Sequence, residues 1–413
     1  MLRPVLLMFS VSFLFWAFNG HYTQKSPKPK TPGGIWISVE DIRKCPASGP
    51  AWRTIKSRAD SDFGKAKGGH NDNHDVFTYA QALVAVKLDD PAYRKKVVVN
   101  IMSAIGSEDN GNVLALCRNL LCYVIAADLI DFEKFDPENE AKFRKWLTRV
   151  RHKRFRQGSL VSIQEKRPNN FGTHATAARA AAALYLGDKA ELERTAKIFK
   201  GWLGDRTSHA KFKFRDLSWQ ADASRPVGIN PKDATKHGHS IDGVLPADQR
   251  RGGGFSWPPP KENYVYGALQ GACAAAHILN RAGYDAWNWQ DKAILRAYLW
   301  LYNEAKFPAK GDDRWQMPLV DFIYGTHFWD GKPVAHGKNM GWTDWTHGQR
   351  KASQKKSAPS GKGASPSGNG AGKAKDAPGP TLWCVLSVEK KSVSNNAPMS
   401  GPRTLKEIFR RYL

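Results

Sequence analysis

Apolar residues along this chain recur mostly at helical spacing. In His74–Lys87 they fall at Val76, Phe77, Ala80, Leu83 and Val84. Pro91–Ile105 follows, with its proline where a first helical turn tolerates the missing N–H. Val113–Ile130 is strongly apolar and Pro137–Val150 amphipathic. Ala175–Leu186 is Ala-rich and stops at Gly187, Lys189–Leu203 stops at Gly204, and Glu262–Ala282 and Trp289–Ala305 form a later pair. Sustained alternation of the strand kind is almost absent. The pattern predicts an all-α protein. Helices in pairs, with Gly or Asp at the joints, predict an (α/α) toroid or incomplete barrel of helical hairpins around a cleft. The hairpins are too unlike one another to form a repeat family, and an irregular helical globule is the competing architecture.

The breaks in the pattern divide the chain. An apolar run from Val5 to Phe18, interrupted only by Ser10 and Ser12, follows a short positive start. It reads as a signal peptide over residues 1–20, with an uncleaved anchor as the alternative. A Lys/Pro/Gly/Thr linker covers 21–34, and the catalytic domain is expected at 35–348. Residues 349–413 open Ser/Gly/Lys-rich and are expected to be a largely disordered basic tail. Between Asp205 and Lys261 the helical pattern gives way to Gly, Pro, His, Asp and Arg. A stretch of this length inside a domain predicts loops that shape a cleft.

Charge narrows the partners. The net charge is +25, and 13 of the Lys/Arg residues against 3 acidic ones lie in 350–413. A basic surface attracts polyanions. Export disfavours nucleic acid and leaves acidic polysaccharide as the expected partner, with no stable membrane span once the signal is removed and a secreted monomer as the expected form. The 15 Trp serve either a helical core or sugar stacking. Five cysteines, none in a CxxC pair, fit neither a zinc site nor a disulfide scaffold.

Four clusters carry candidate chemistry. Arg167-Pro168-Asn169-Asn170-Phe171-Gly172-Thr173-His174 lies just before and in a helix, with Pro168 biasing Arg167 toward an extended backbone. Its amides could equally be ordinary helix caps. His237-Gly238-His239 offers two imidazoles but no third metal ligand at a telling spacing. Arg250-Arg251-Gly252 could grip a carboxylate in bidentate fashion. Tyr264 and Tyr266 stand at the mouth of a helix, and Lys338-Asn339-Met340-Gly341-Trp342 mixes cation, amide and indole as sugar subsites do. Together these are the groups that β-elimination of a uronate needs. The C5 proton is a poor acid until the adjacent carboxylate is neutralised by amide, imidazole or guanidinium, and Tyr or His can carry the proton.

The runs RPNNFGTHATAARAAAALYLGD (Arg167–Asp188), SIDGVLPADQRRGGGF (Ser240–Phe255), KENYVYGALQG (Lys261–Gly271) and KNMGWTDWTH (Lys338–His347) resemble the alginate-lyase-domain superfamily of polyuronate lyases. Within it the chain is most similar to polysaccharide lyase family 38, acting on glucuronan or mannuronan. The resemblance spans about residues 70–347. It implies an (α/α) toroid and metal-independent elimination without a cofactor. It further implies Asn170, beside Asn169, as carboxylate neutraliser, Tyr264 as base and acid, Arg251 as the matched family arginine, and Arg250 or Arg251 as the group that assists the tyrosine or holds the carboxylate. The family histidine falls on His174 or His239. Arg167, Asn169, Arg250, Tyr266, Lys338, Asn339 and Trp342 are the implied substrate contacts. The insertion Gly252–Pro260 departs from the family pattern and leaves Tyr264 and Tyr266 both open.

Two other classes compete. An inverting hydrolase on the same architecture needs two separated carboxylates, with Asp216, Asp222, Asp242 and Glu262 as candidates. A non-catalytic polyanion-binding protein needs only the charge.

Overall fold

The computed structural model describes residues 34–348, so the expected signal segment and the tail lie outside the described residues. Fifteen α-helices are found among them. In chain order they are α1 Val39–Lys44, α2 Gly49–Asp60, α3 His74–Leu88, α4 Pro91–Ala104, α5 Val113–Leu129, α6 Phe132–Phe135, α7 Pro137–Val150, α8 Leu160–Lys166, α9 Asn170–Leu186, α10 Lys189–Leu203, α11 Pro246–Gln249, α12 Val265–Arg281, α13 Trp289–Leu299, α14 Gln316–Tyr324 and α15 Thr343–Thr346. The described strands are β1 Thr235–Lys236 and β2 His239–Ser240, paired antiparallel. The chain is all-α, as its periodicity predicts.

Burial sorts the helices into layers. α3, α5, α9 and α12 are buried nearly all round, as helices apolar on every face must be. They pack in the order α3, α5, α9, α12. α7 and α10 keep exposed charged faces and form part of the outer layer, with α10 against both α9 and α13. α9 and α12 approach so closely that a Cβ on Gly271 would lie 2.4 Å from the His174 backbone nitrogen. Only glycine fits there.

Several helix limits differ from the sequence reading. α9 starts at Asn170, five residues before the Ala-rich run, because Asn170–His174 continue the helix over residues with little apolar signal. The Trp289–Ala305 helix gives way to a π-helical turn at Trp300–Glu304. The 205–261 stretch is mostly irregular, holding only the hairpin, α11 and a 3₁₀ turn at Arg250–Gly252. Most of the Trp side chains fill the core: Trp36, Trp219, Trp315, Trp342 and Trp345 are fully buried. Cys45, Cys117, Cys122 and Cys273 are buried. Among the described residues no helix is long and apolar enough to cross a membrane.

Candidate active site

The tip of α9 is held from two sides. Arg167 is extended (φ −102°, ψ 116°), as its place before proline requires. The Trp202 indole donates to the Pro168 carbonyl at 2.7 Å. Gly172 is obligatory, since a Cβ there would lie 1.9 Å from the Arg167 carbonyl oxygen. Asn169 is the N-cap residue, yet its side chain makes no capping bond. Its Oδ1 and that of Asn170 are both sealed from solvent without a hydrogen-bond partner. The ordinary capping role is therefore not what these amides do.

Asp248 on α11 anchors the tip from the third side, its Oδ1 accepting the Asn170 backbone N–H at 3.1 Å. Burial pushes the Asp248 carboxyl up to about 7 against the bond from Asn170 and the charges of Arg251 and Arg250. The adjacent Gln249 donates to the Lys261 carbonyl at 3.0 Å, and Asn263 donates to the Gln249 carbonyl at 2.8 Å. These two bonds fasten the Arg250–Gly252 turn to the start of α12. Gly252 lies close against this contact, as a Cβ there would come within 2.4 Å of the Asn263 amide. The result is a direct pairing: the Arg251 guanidinium stacks 3.8 Å from the centre of the Tyr264 ring. The insertion between Arg251 and Tyr264 thus loops out without separating them.

Tyr264 is 47% exposed, whereas Tyr266 is buried and donates to the Phe307 carbonyl at 2.8 Å. Tyr266 has no surface for a sugar, so its expected substrate contact is corrected to a packing role. Trp342 needs the same correction. It lies in the core beside Tyr79 and His336 and cannot stack on a sugar. Asn339 is also buried, donating to the Gln270 carbonyl. Lys338 remains partly exposed and pairs with Asp312 at 3.2 Å. His174 is fully buried one turn into α9. Burial first, and the charge of Arg118 second, hold its imidazole well below the usual range. It is a neutral group beneath the site, not one that meets a polymer. Neither ring nitrogen reaches good hydrogen-bond geometry, although the Gly267 backbone is close. His239 lies on the β-hairpin, stacked on Trp257 at 4.6 Å, and nothing links it to the Asn170 side of the cleft. Arg250 faces Arg215 and Asp216 as well as Asp248.

Residues not singled out by sequence complete the site. Arg118 on α5 is within electrostatic range of Tyr264, Asp312, Asp313 and His174. A guanidinium inside the apolar run 113–130 was the signal that could have found it. Gln270 on α12 bonds Asp313 at 2.7 Å and accepts the Lys338 backbone N–H at 2.8 Å. The hydrolase candidates are otherwise engaged. Asp216 and Asp222 cap turns at Ser218 and Ser224, Asp242 pairs with Arg296, and Glu262 accepts the Tyr266 backbone N–H at 2.8 Å. Among the described residues no three His, Cys, Asp or Glu side chains are grouped to hold a metal ion.

Residues 111–207 match the family model described as alginate lyase. That segment contains Arg118 and the whole tip of α9. Alginate lyase A1-III from Sphingomonas species A1 has the same fold, with a TM-score of 0.54 at 11% identity, over 77% of this chain and 96% of that one. No curated protein matches. The fold is the (α/α) toroid of that lyase.

Proposed function

We propose that the protein cleaves a polyuronate, glucuronan or a mannuronate-rich alginate, by metal-independent β-elimination. The observation that carries this reading is the exposed Tyr264 under the Arg251 guanidinium, with Asn169 and Asn170 at the α9 tip offering Nδ2–H donors to the uronate. Asn170, with Asn169, neutralises the uronate carboxylate, so that negative charge can develop toward C5. Tyr264, entering the step as the phenolate, takes the C5 proton, the C4–C5 double bond forms, and the C4–O4 bond breaks. The same hydroxyl returns the proton to the leaving O4, so both transfers occur on one face of the sugar. Arg251 sets a cation against the ring as the hydroxyl gives up its proton. Arg167, Arg250 and Lys338 hold neighbouring carboxylates along the polymer.

Incubation with polyglucuronate, polymannuronate and polyguluronate tests the reading through the ultraviolet absorbance of unsaturated ends. Absorbance rising on one of them is the expected result. New reducing ends without absorbance would favour a hydrolase, and salt-sensitive binding without any product would favour a polyanion-binding protein. The N-terminal segment fits export of a domain spanning 35–348, and the N-terminal sequence of the protein recovered from culture medium checks that.

A further inference from the structure

α5 is apolar along its length except at Arg118, Asn119 and Asp128. The latter two are engaged: Asn119 donates to the Gly69 carbonyl at 3.1 Å, and Asp128 accepts the Ile35 backbone N–H at 3.0 Å. Arg118 is not. It is only 8% exposed, its Nε is sealed without a partner, and it forms no hydrogen bond or ion pair among the described residues. The acids in its neighbourhood are committed elsewhere. Asp313 accepts from Gln270 at 2.7 Å and Asp312 pairs with Lys338 at 3.2 Å. A guanidinium has five donors in a planar fork and cannot shed its charge. Its Nε is sealed with that donor unused, and its Nη groups bond no described residue; a guanidinium so placed in a nearly closed site is costly and seldom seen in folded proteins.

We propose that Arg118 is the cation of a carboxylate-binding site at the floor of the cleft, filled by one uronate of the bound polymer. This rests on the lyase reading and adds the residue that supplies full positive charge at the reacting sugar. The fork takes the two carboxylate oxygens in bidentate fashion, Asn170 bonds the same group from the α9 tip, and the sugar is turned so that C5 faces Tyr264. Arg251, already stacked on Tyr264, is then left to the tyrosine.

The test uses Arg118→Met and Arg118→Lys in the full chain. Because Met removes an unpaired buried charge, Arg118→Met should melt higher than the wild type while kcat/KM on the polyuronate falls at least about 100-fold. In a Tyr264→Phe background, calorimetry with a glucuronate or mannuronate trisaccharide should show binding weakened at least about tenfold by Arg118→Met. Arg118→Lys, which keeps charge but loses the fork, should lie between. Unchanged trisaccharide binding, or a lower melting temperature with activity intact, would overturn the proposal and make Arg118 a structural residue. If the wild type cleaves no polyuronate, the lyase reading fails by itself. Free glucuronate should then still raise the melting temperature of the wild type and not of Arg118→Met, and absence of that difference overturns the carboxylate site independently.

Discussion

Two arginines sit in neighbouring inner helices and are treated in opposite ways. Arg179, two turns along α9, is fully buried, and Glu191 grips it through two bonds of 2.6 and 2.9 Å. Gln164 and Glu165 take its remaining donors at 2.7 and 3.3 Å. Arg118 on α5 is nearly as buried and bonds to no described residue. The first locks α8, α9 and α10 together. The second stands beside the α9 tip, where the side-chain oxygens of Asn169 and Asn170 are likewise unsatisfied. Polar groups inside a fold that are paired serve the fold, and polar groups left open at a cleft await a ligand. The same contrast separates Tyr266, bonded to Phe307, from the exposed Tyr264.

The sharpest way to break this comparison is at the tyrosines. Tyr264→Phe should lower turnover of the polyuronate by about 10²–10⁴ and leave the melting temperature unchanged. A Tyr264→Phe enzyme that retains full rate would move the proton transfer elsewhere. Arg179→Met should do the reverse of Arg118→Met. It takes both close bonds from Glu191, while Glu165 keeps Arg194 at 2.7 Å, so denaturant titration should show a loss of about 3–5 kcal/mol, with activity per folded molecule preserved.

Burial of carboxyls around the cleft gives a smaller, pH-dependent effect. Burial raises Asp248 and Glu262 to about 7 and Asp313 to about 6. In the unfolded chain such groups ionise near about 4. Between those values the folded protein holds more protons than the unfolded chain, so stability falls as pH rises through this window. Asp248→Asn keeps an oxygen for the Asn170 N–H and removes one of these groups. Its melting temperature relative to wild type should climb from pH 4 to pH 8, and a constant difference would contradict the assignment. Last, Tyr266→Phe loses the bond to the Phe307 carbonyl and should cost about 1 kcal/mol with turnover unchanged.

Much of this was legible beforehand where periodicity speaks. The limits of α7 and α10 coincide with their apolar patterns, because each buries one stripe and stops at its own signal. The short helices α1 and α8 escaped, having too few turns to show a period. At the site, Asn170, Arg251 and Tyr264 came from the resemblance to polyuronate lyases, and the structure sets Arg251 against Tyr264. Trp342 and Asn339 were misread because a mixed polar-aromatic segment looks alike whether it lines a groove or closes a core.

The sequence by itself determined the helical class, the inner helices and the residue types that a uronate elimination needs, since these depend on local spacing and chemistry. Only the tertiary structure decided which polar groups were left open. Whether an arginine finds its carboxylates depends on contacts between helices far apart in the chain, as Arg118 and the Gly311–Asp313 turn are, and local pattern carries no record of them.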